Sequence, residues 1–304
     1  MLNLGRRPFL VSALMLPAAA GLGAEQPKVV ATFSVLGDMV RQIADGHVAL
    51  TVIVGPGGDS ESYEPTAADA RSLADADLLV MNGLNEDFEP WLAPLIRQSG
   101  FHGTKLVASD GVKALRRADE RPGAAGPQEL DQHAWNDAAN GAIYAANVAA
   151  ALERLDPSNS AEYRVKAEAY GTRLRELDAW TKQQVAEVPK AKRTVITSHD
   201  AFGYLARAYD ITMIAARGWT TEKEPSAQDV SRLIQQIRHD RIRAIFIENM
   251  NDPRLIQRIA LEAGGTVGGE LYSDALTSPG GDGDTYEKMF RHNILALKAG
   301  MLAN

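Results

Sequence analysis

The chain has 304 residues, 45% of them hydrophobic, with a net charge of −7 and no cysteine. At roughly 100–200 residues per domain this length suits two domains, with enough apolar residues for a sizeable core. The acidic balance, without basic patches interleaved with aromatics, excludes a nucleic-acid partner. The missing thiols exclude disulfides and Cys-ligated zinc, and they speak against a lipid-anchored start.

The chain opens with Arg6 and Arg7 ahead of the apolar run "FLVSALMLPAAAGLGA". That run is too short to span a bilayer, and small residues around Ala20 to Ala24 suit a peptidase. Residues 1–24 are therefore expected to be a signal peptide. "RRPFL" is similar to a twin-arginine signal, so the general and the twin-arginine route both stand. Cleavage removes two Arg and no acid, taking the net charge from −7 to −9. The expected location is a periplasm, and no other apolar run is long enough to cross a membrane.

Short apolar runs and amphipathic runs then alternate. Strands are expected at residues 29–33, 49–55, 78–82 and 105–109, with helices at 34–45, 67–75 and 90–98. Thr66 is placed to cap the second helix. "RRADERPGAAGPQELDQ" reads as a loop, and "NGAIYAANVAAALERL" as a helix stopped at Asp156-Pro157. A long helix follows over 158–188, with Tyr163, Ala167, Tyr170, Leu174 and Leu177 on one stripe. The alternation restarts with strands at 194–197, 211–215, 244–248 and 266–271, and helices at 201–209, 227–240, 253–263 and 285–302. Asp284 and Glu287 have the spacing of a capping pair for the last helix. The expected class is α/β: two lobes, each with a four-stranded, mostly parallel sheet flanked by helices. Their bounds are 25–157 and 189–304, joined by the long helix at 158–188.

In open α/β sheets ligands bind beyond the carboxyl ends of the strands. Glu61, His199, Glu248 and Asp274 follow strands in this way, and His133 ends the long loop just before a helix. A cleft between two sheets could gather all five. Both histidines lack a local HExxH or CxxC partner, and the other four His sit in charged or helical contexts. No Walker A loop, GxGxxG or GxSxG is present. "GGDGDTYE" matches only a fragment of a calcium loop and reads better as a loop with a helix cap.

The phrases "VVATFSVLGDMV", "VGPGGDSESYEPT", "DLLVMNGL", "HAWNDAANGAIYAANVAAAL", "TSHDAFGYLARAYDI", "EPSAQDV", "IFIENMNDPRLIQRIALEAGG" and "LYSDAL" together resemble the solute-binding proteins of zinc- and manganese-importing ABC transporters. The likeness covers essentially everything after the signal. It implies two α/β lobes on one rigid helix, with a divalent ion held between them and delivered to a membrane permease and its ATPase. The expected receptor is a monomer and no enzyme.

The resemblance also implies four metal ligands, Glu61, His133, His199 and Asp274. The family usually has His at the first position, so Glu61 is a departure. A second departure is the absence of His from the loop before His133. Two imidazoles and two carboxylates bind zinc tetrahedrally, yet they also suit manganese or iron(II). His at the position of His199 is typical of the zinc members, so zinc is the first expectation and manganese the alternative. Glu248 and Asp200 are candidates to orient a ligand His through its other ring nitrogen, and Tyr63, Glu64, Trp135 and Tyr204 to shape the site. Two other classes compete: a metal-dependent hydrolase with Glu61 as general base, and a surface adhesin.

Overall fold

The computed structural model describes residues 25–85, 88–117, 129–216, 225–250 and 252–304. The expected signal peptide and residues 118–128 of the charged loop lie outside them. No helix among the described residues is long and apolar enough to cross a membrane.

The N-terminal half builds one parallel sheet from β1 (Lys28–Phe33), β2 (Ala49–Val54), β3 (Leu78–Met81) and β4 (Thr104–Val107), in the order β2-β1-β3-β4. Parallel strands are covered on both faces and so read as continuous apolar runs. Val29 to Phe33 accordingly are all buried. Burial of each large apolar side chain contributes ~1.5–3 kcal/mol. Helix α1 (Ser34–Ala44) buries Val35, Leu36, Met39, Val40 and Ile43 at helical spacing, and ends where Asp45 turns left-handed at φ 46°. Helix α2 (Ala67–Ala74) starts on the expected cap: Thr66 accepts from Asp69 N while the Asp69 carboxylate accepts from Thr66 N. Helix α3 (Leu92–Ser99) starts two residues later than the pattern suggested. Two-residue strands β5 (Arg116–Arg117) and β6 (Glu129–Leu130) pair antiparallel.

Helix α4 (Ala138–Leu155) ends at Asp156, before Pro157. Helix α5 (Ser160–Ala186) follows with 27 residues, about 40 Å at 1.5 Å per residue. Its stripe packs as the spacing requires: Tyr163, Tyr170, Leu174 and Leu177 are buried. Helix α5 lies against α4, α1 and the last helix, and so touches both halves of the chain.

The C-terminal half contains β7 (Thr194–Thr197), α6 (Gly203–Tyr209), β8 (Thr212–Ala215), α7 (Ala227–Asp240), β9 (Phe246–Glu248), α8 (Arg254–Ala263), β10 (Gly269–Leu271) and α9 (Tyr286–Ala303). Two parallel ladders, β7 with β8 and β9 with β10, are joined by a single bridge between Ile196 and Ile245. Strands β9 and β10 are shorter than the apolar runs implied. The proposed cap of α9 is corrected. Thr285, extended at φ −131° and ψ 159°, accepts from Lys288 N. Asp284 instead accepts from Gly280 N and pairs with Lys288.

Hydrogen bonds tie the halves together. Leu276 N donates to Ser34 Oγ (2.9 Å), Gly57 N to Leu276 O (2.9 Å) and Tyr286 N to Asp38 Oδ2 (2.9 Å). Tyr286 Oη also donates to Trp135 O at 2.6 Å. That contact relies on Gly141, because a Cβ there would stand 2.6 Å from Tyr286 Oη. Gly141→Ala is expected to push the phenol off Trp135 and destabilise the metal-free protein by ~1–3 kcal/mol. Thermal melting monitored by circular dichroism checks it, and an unchanged midpoint would refute the account.

Candidate metal centre

Four side chains converge between the N-terminal sheet and the C-terminal ladders. Glu61 comes from the loop after β2, His133 from the turn before α4, His199 from the end of β7 and Asp274 from the loop after β10. All four are at most 3% exposed. Ligand atoms of Glu61, His133 and His199 lie within 4.8 Å of one another. Asp274 closes the group, with Oδ1 3.9 Å from His133 Nε2 and Oδ2 3.1 Å from His199 Nε2. Glu61 Oε1 stands 3.8 Å from His133 Nε2. Among the described residues His133 Nε2 makes no hydrogen bond, and the Asp274 oxygens face only the two imidazoles. Buried polar atoms are normally satisfied, so such a group calls for an occupant.

Each imidazole is aimed by a carboxylate on its far side. Asp131 Oδ1 accepts from both Nδ1 (2.9 Å) and the backbone N (3.0 Å) of His133, which leaves Nε2 to face the centre. Glu248 Oε1 accepts from Ser198 N and His199 N, at 2.9 and 3.0 Å, and its Oε2 is 2.6 Å from His199 Nδ1. Asp200, the other expected orienting group, is half-buried beside His199 in the chain. The segment holding Glu61 is pinned by Trp91, whose Nε1 donates to Ser60 O at 2.8 Å, and by Asp59, which accepts from Glu61 N at 2.9 Å. Trp135 Nε1 donates to Ser273 O at 2.7 Å, next to Asp274. Phe33, Phe88 and Trp135 pack edge-to-face or tilted at 4.7–4.9 Å and form an apolar floor. Tyr204 Oη donates to Asp131 O (3.1 Å), Tyr63 Oη reaches Asp69 (2.9 Å), and Glu64 is exposed.

Sequence reasoning missed Asp131 and Gln132, whose side-chain amide donates to Glu61 Oε1. The readable signal was "DQH": an acid two residues before a histidine can bond both its ring and its backbone.

The centre buries Glu61, Asp131, Glu248 and Asp274 around two imidazoles. Burial alone would lower the His133 pKa, but Asp274, Asp131 and Glu61 outweigh it and raise it to about 9. For His199 burial is likewise outweighed by Glu248 and Asp274, and the pKa rises well above the usual range. Burial raises the Asp274 pKa despite both histidines. For Glu248 the opposing effect of His199 wins over burial, and the pKa is lowered. Without metal the surrounding carboxylates thus favour the protonated imidazoles, which partly neutralise the acids. A divalent ion binds neutral imidazole, so it can replace two protons without changing the buried charge.

Residues 29–300 match the family described as zinc-uptake complex component A, periplasmic. The chain belongs to that family. It is 31% identical over 279 residues to the metal ABC transporter substrate-binding lipoprotein SloC of Streptococcus mutans, covering 90% of this chain and 89% of that one. It is 30% identical over 278 residues to the manganese ABC transporter substrate-binding lipoprotein PsaA of Streptococcus pneumoniae, covering 90% and 88%. Among solved structures, the periplasmic zinc binding protein TroA from Treponema pallidum superposes with a TM-score of 0.83 at 31% identity, covering 91% of this chain and 99% of that one. A manganese-bound periplasmic metal binding protein from Candidatus Liberibacter asiaticus gives 0.78 at 29% identity, covering 90% and 98%. The family member described here is a metal-binding component of an ABC importer and not an enzyme, which removes the hydrolase reading of Glu61.

Two outcomes follow from the charge arrangement. Close to two protons are expected to leave per divalent ion bound at pH 7, counted by calorimetry in buffers of different ionisation enthalpy; a count near zero contradicts the exchange. The raised His pKa stabilises the metal-free fold fully below about 6.5, the unfolded value, and that stabilisation is lost as pH rises through about 9. The metal-free melting temperature should therefore fall across that window. Separately, Glu248→Gln is expected to weaken metal binding by roughly 10–100-fold in chelator competition.

Proposed function

We propose that the protein is a periplasmic receptor that takes up zinc between two lobes and hands it to the permease and ATPase of an importer. In this reading residues 1–24 direct export, 25–157 and 189–304 form the lobes, and 158–188 is the rigid connector, acting as a monomer. Glu61, His133, His199 and Asp274 are the four ligands. The observation that carries the proposal is the buried convergence of two imidazole Nε2 atoms and two carboxylates from both halves. Neighbouring ligands on a tetrahedral zinc with bonds of about 2.0–2.1 Å stand about 3.4 Å apart. The closest contacts here, 3.1 to 3.9 Å, straddle that value. A closed set of protein ligands suits capture and release rather than catalysis, which keeps a position for water.

Manganese is the second reading, and one observation favours it. Asp274 turns one oxygen towards each imidazole, as a carboxylate would in an oxygen-rich, higher-coordinate site. Several relatives are named for manganese, and one for iron.

Competitive titration of the purified protein with zinc and manganese, repeated on Glu61→Ala and Glu61→His, tests both. Zinc is expected to bind one-to-one and to outcompete manganese, Glu61→Ala to lose at least tenfold in zinc affinity, and Glu61→His to retain it. Unchanged zinc affinity in Glu61→Ala removes Glu61 from the ligand set, and a preference for manganese at comparable concentrations reverses the choice of metal.

A further inference from the structure

Glu61 is held from outside the ligand set. Gln132, only 3% exposed, donates its side-chain amide to Glu61 Oε1. Against a carboxylate, only the NH2 end of the amide can donate. Oε1 is also the oxygen that faces His133 Nε2 at 3.8 Å.

Both partners sit on fixed frames. Gln132 O accepts from Asn82 Nδ2 at 2.9 Å, and Asn82 Oδ1 accepts from Tyr144 Oη at 2.6 Å. The Asn82 backbone N donates to buried Glu89 at 3.2 Å. On the other side, Trp91 and Asp59 fix the backbone around Glu61. The backbone on both sides of the Gln132–Glu61 contact is therefore held in place.

We propose that Gln132 sets the metal preference of the site by restricting Glu61 to one-oxygen coordination. This rests on the functional reading above. A carboxylate oxygen offers about two lone-pair directions. The amide occupies one at Oε1, and a metal at the centre takes the other. Bringing Oε2 onto the same ion requires the carboxylate to tilt, and the hydrogen bond from Gln132 to Oε1 opposes that tilt. Zinc is satisfied by four ligands, whereas manganese gains from additional oxygens. The hydrogen bond thus holds the coordination number down and disfavours the harder ion. Gln132 is a positioning residue in this scheme, because it acts on the metal only through Glu61.

The test compares wild type, Gln132→Met, Glu61→Ala and the double variant. Zinc and manganese affinities are measured by chelator competition, and the manganese-loaded proteins by X-ray absorption. Gln132→Met keeps the bulk and removes the donor. Its zinc-to-manganese affinity ratio is expected to fall about tenfold or more, the scale of one hydrogen bond to a charged group. Its manganese should gain one oxygen ligand relative to wild type. In the Glu61→Ala background the same change should leave the ratio where Glu61→Ala alone put it. A ratio within twofold of wild type overturns the proposal, as does an equal fall in the Glu61→Ala background or a parallel loss of both affinities. Wild-type protein that binds neither metal overturns the functional reading itself, a result visible before any variant is made.

Discussion

Four carboxylates buried around two imidazoles are the constraint on which the rest of the structure depends. Each buried charge costs several kcal/mol unless it is paired and hydrogen-bonded. Asp131 and Glu248 meet that demand by gripping backbone amides as well as imidazole rings. Glu61 and Asp274 meet it through the histidines and, for Glu61, through Gln132. The centre is consequently built to hold positive charge, supplied either by protons on the imidazoles or by a divalent cation. Uptake of a metal as proton exchange follows directly from that balance.

Such a centre can exist only if its parts are delivered from different places and held firmly. The strands do the delivering: β2, β7 and β10 all point their carboxyl ends towards the same seam, and β9 contributes Glu248. Helix α5 crosses the molecule and packs against α1, α4 and α9, so it touches both halves of the chain. Trp135 and Tyr286 complete the seam, since each donates a buried hydrogen bond from one half to the backbone of the other. The aromatic floor of Phe33, Phe88 and Trp135 keeps water from screening the charges, which strengthens every contact above it.

Much of this was legible in the residues. Continuous apolar runs separated by amphipathic ones gave the parallel sheets, and the Tyr163–Leu177 stripe gave the long helix. The rule that ligands bind beyond strand ends singled out Glu61, His199, Glu248 and Asp274 before any side chain was placed. The cap of α9 was misassigned because Asp284 and Thr285 both have capping chemistry. Only the backbone angles decided that Thr285 holds the extended N-cap conformation.

The sequence by itself determined the fold class, the long connecting helix and the identity of the chemically capable residues, because periodicity and residue type are local properties. Tertiary structure decided which of them act together. Asp131 rather than a more distant acid aims His133, Glu248 lies against the His199 ring from 49 residues away in the chain, and Gln132 reaches Glu61 across 71 residues of chain. Those pairings depend on the register of separate strands and the packing of two sheets. A carboxylate's partner is set by distances of a few ångströms in space, which spacing along the chain does not record.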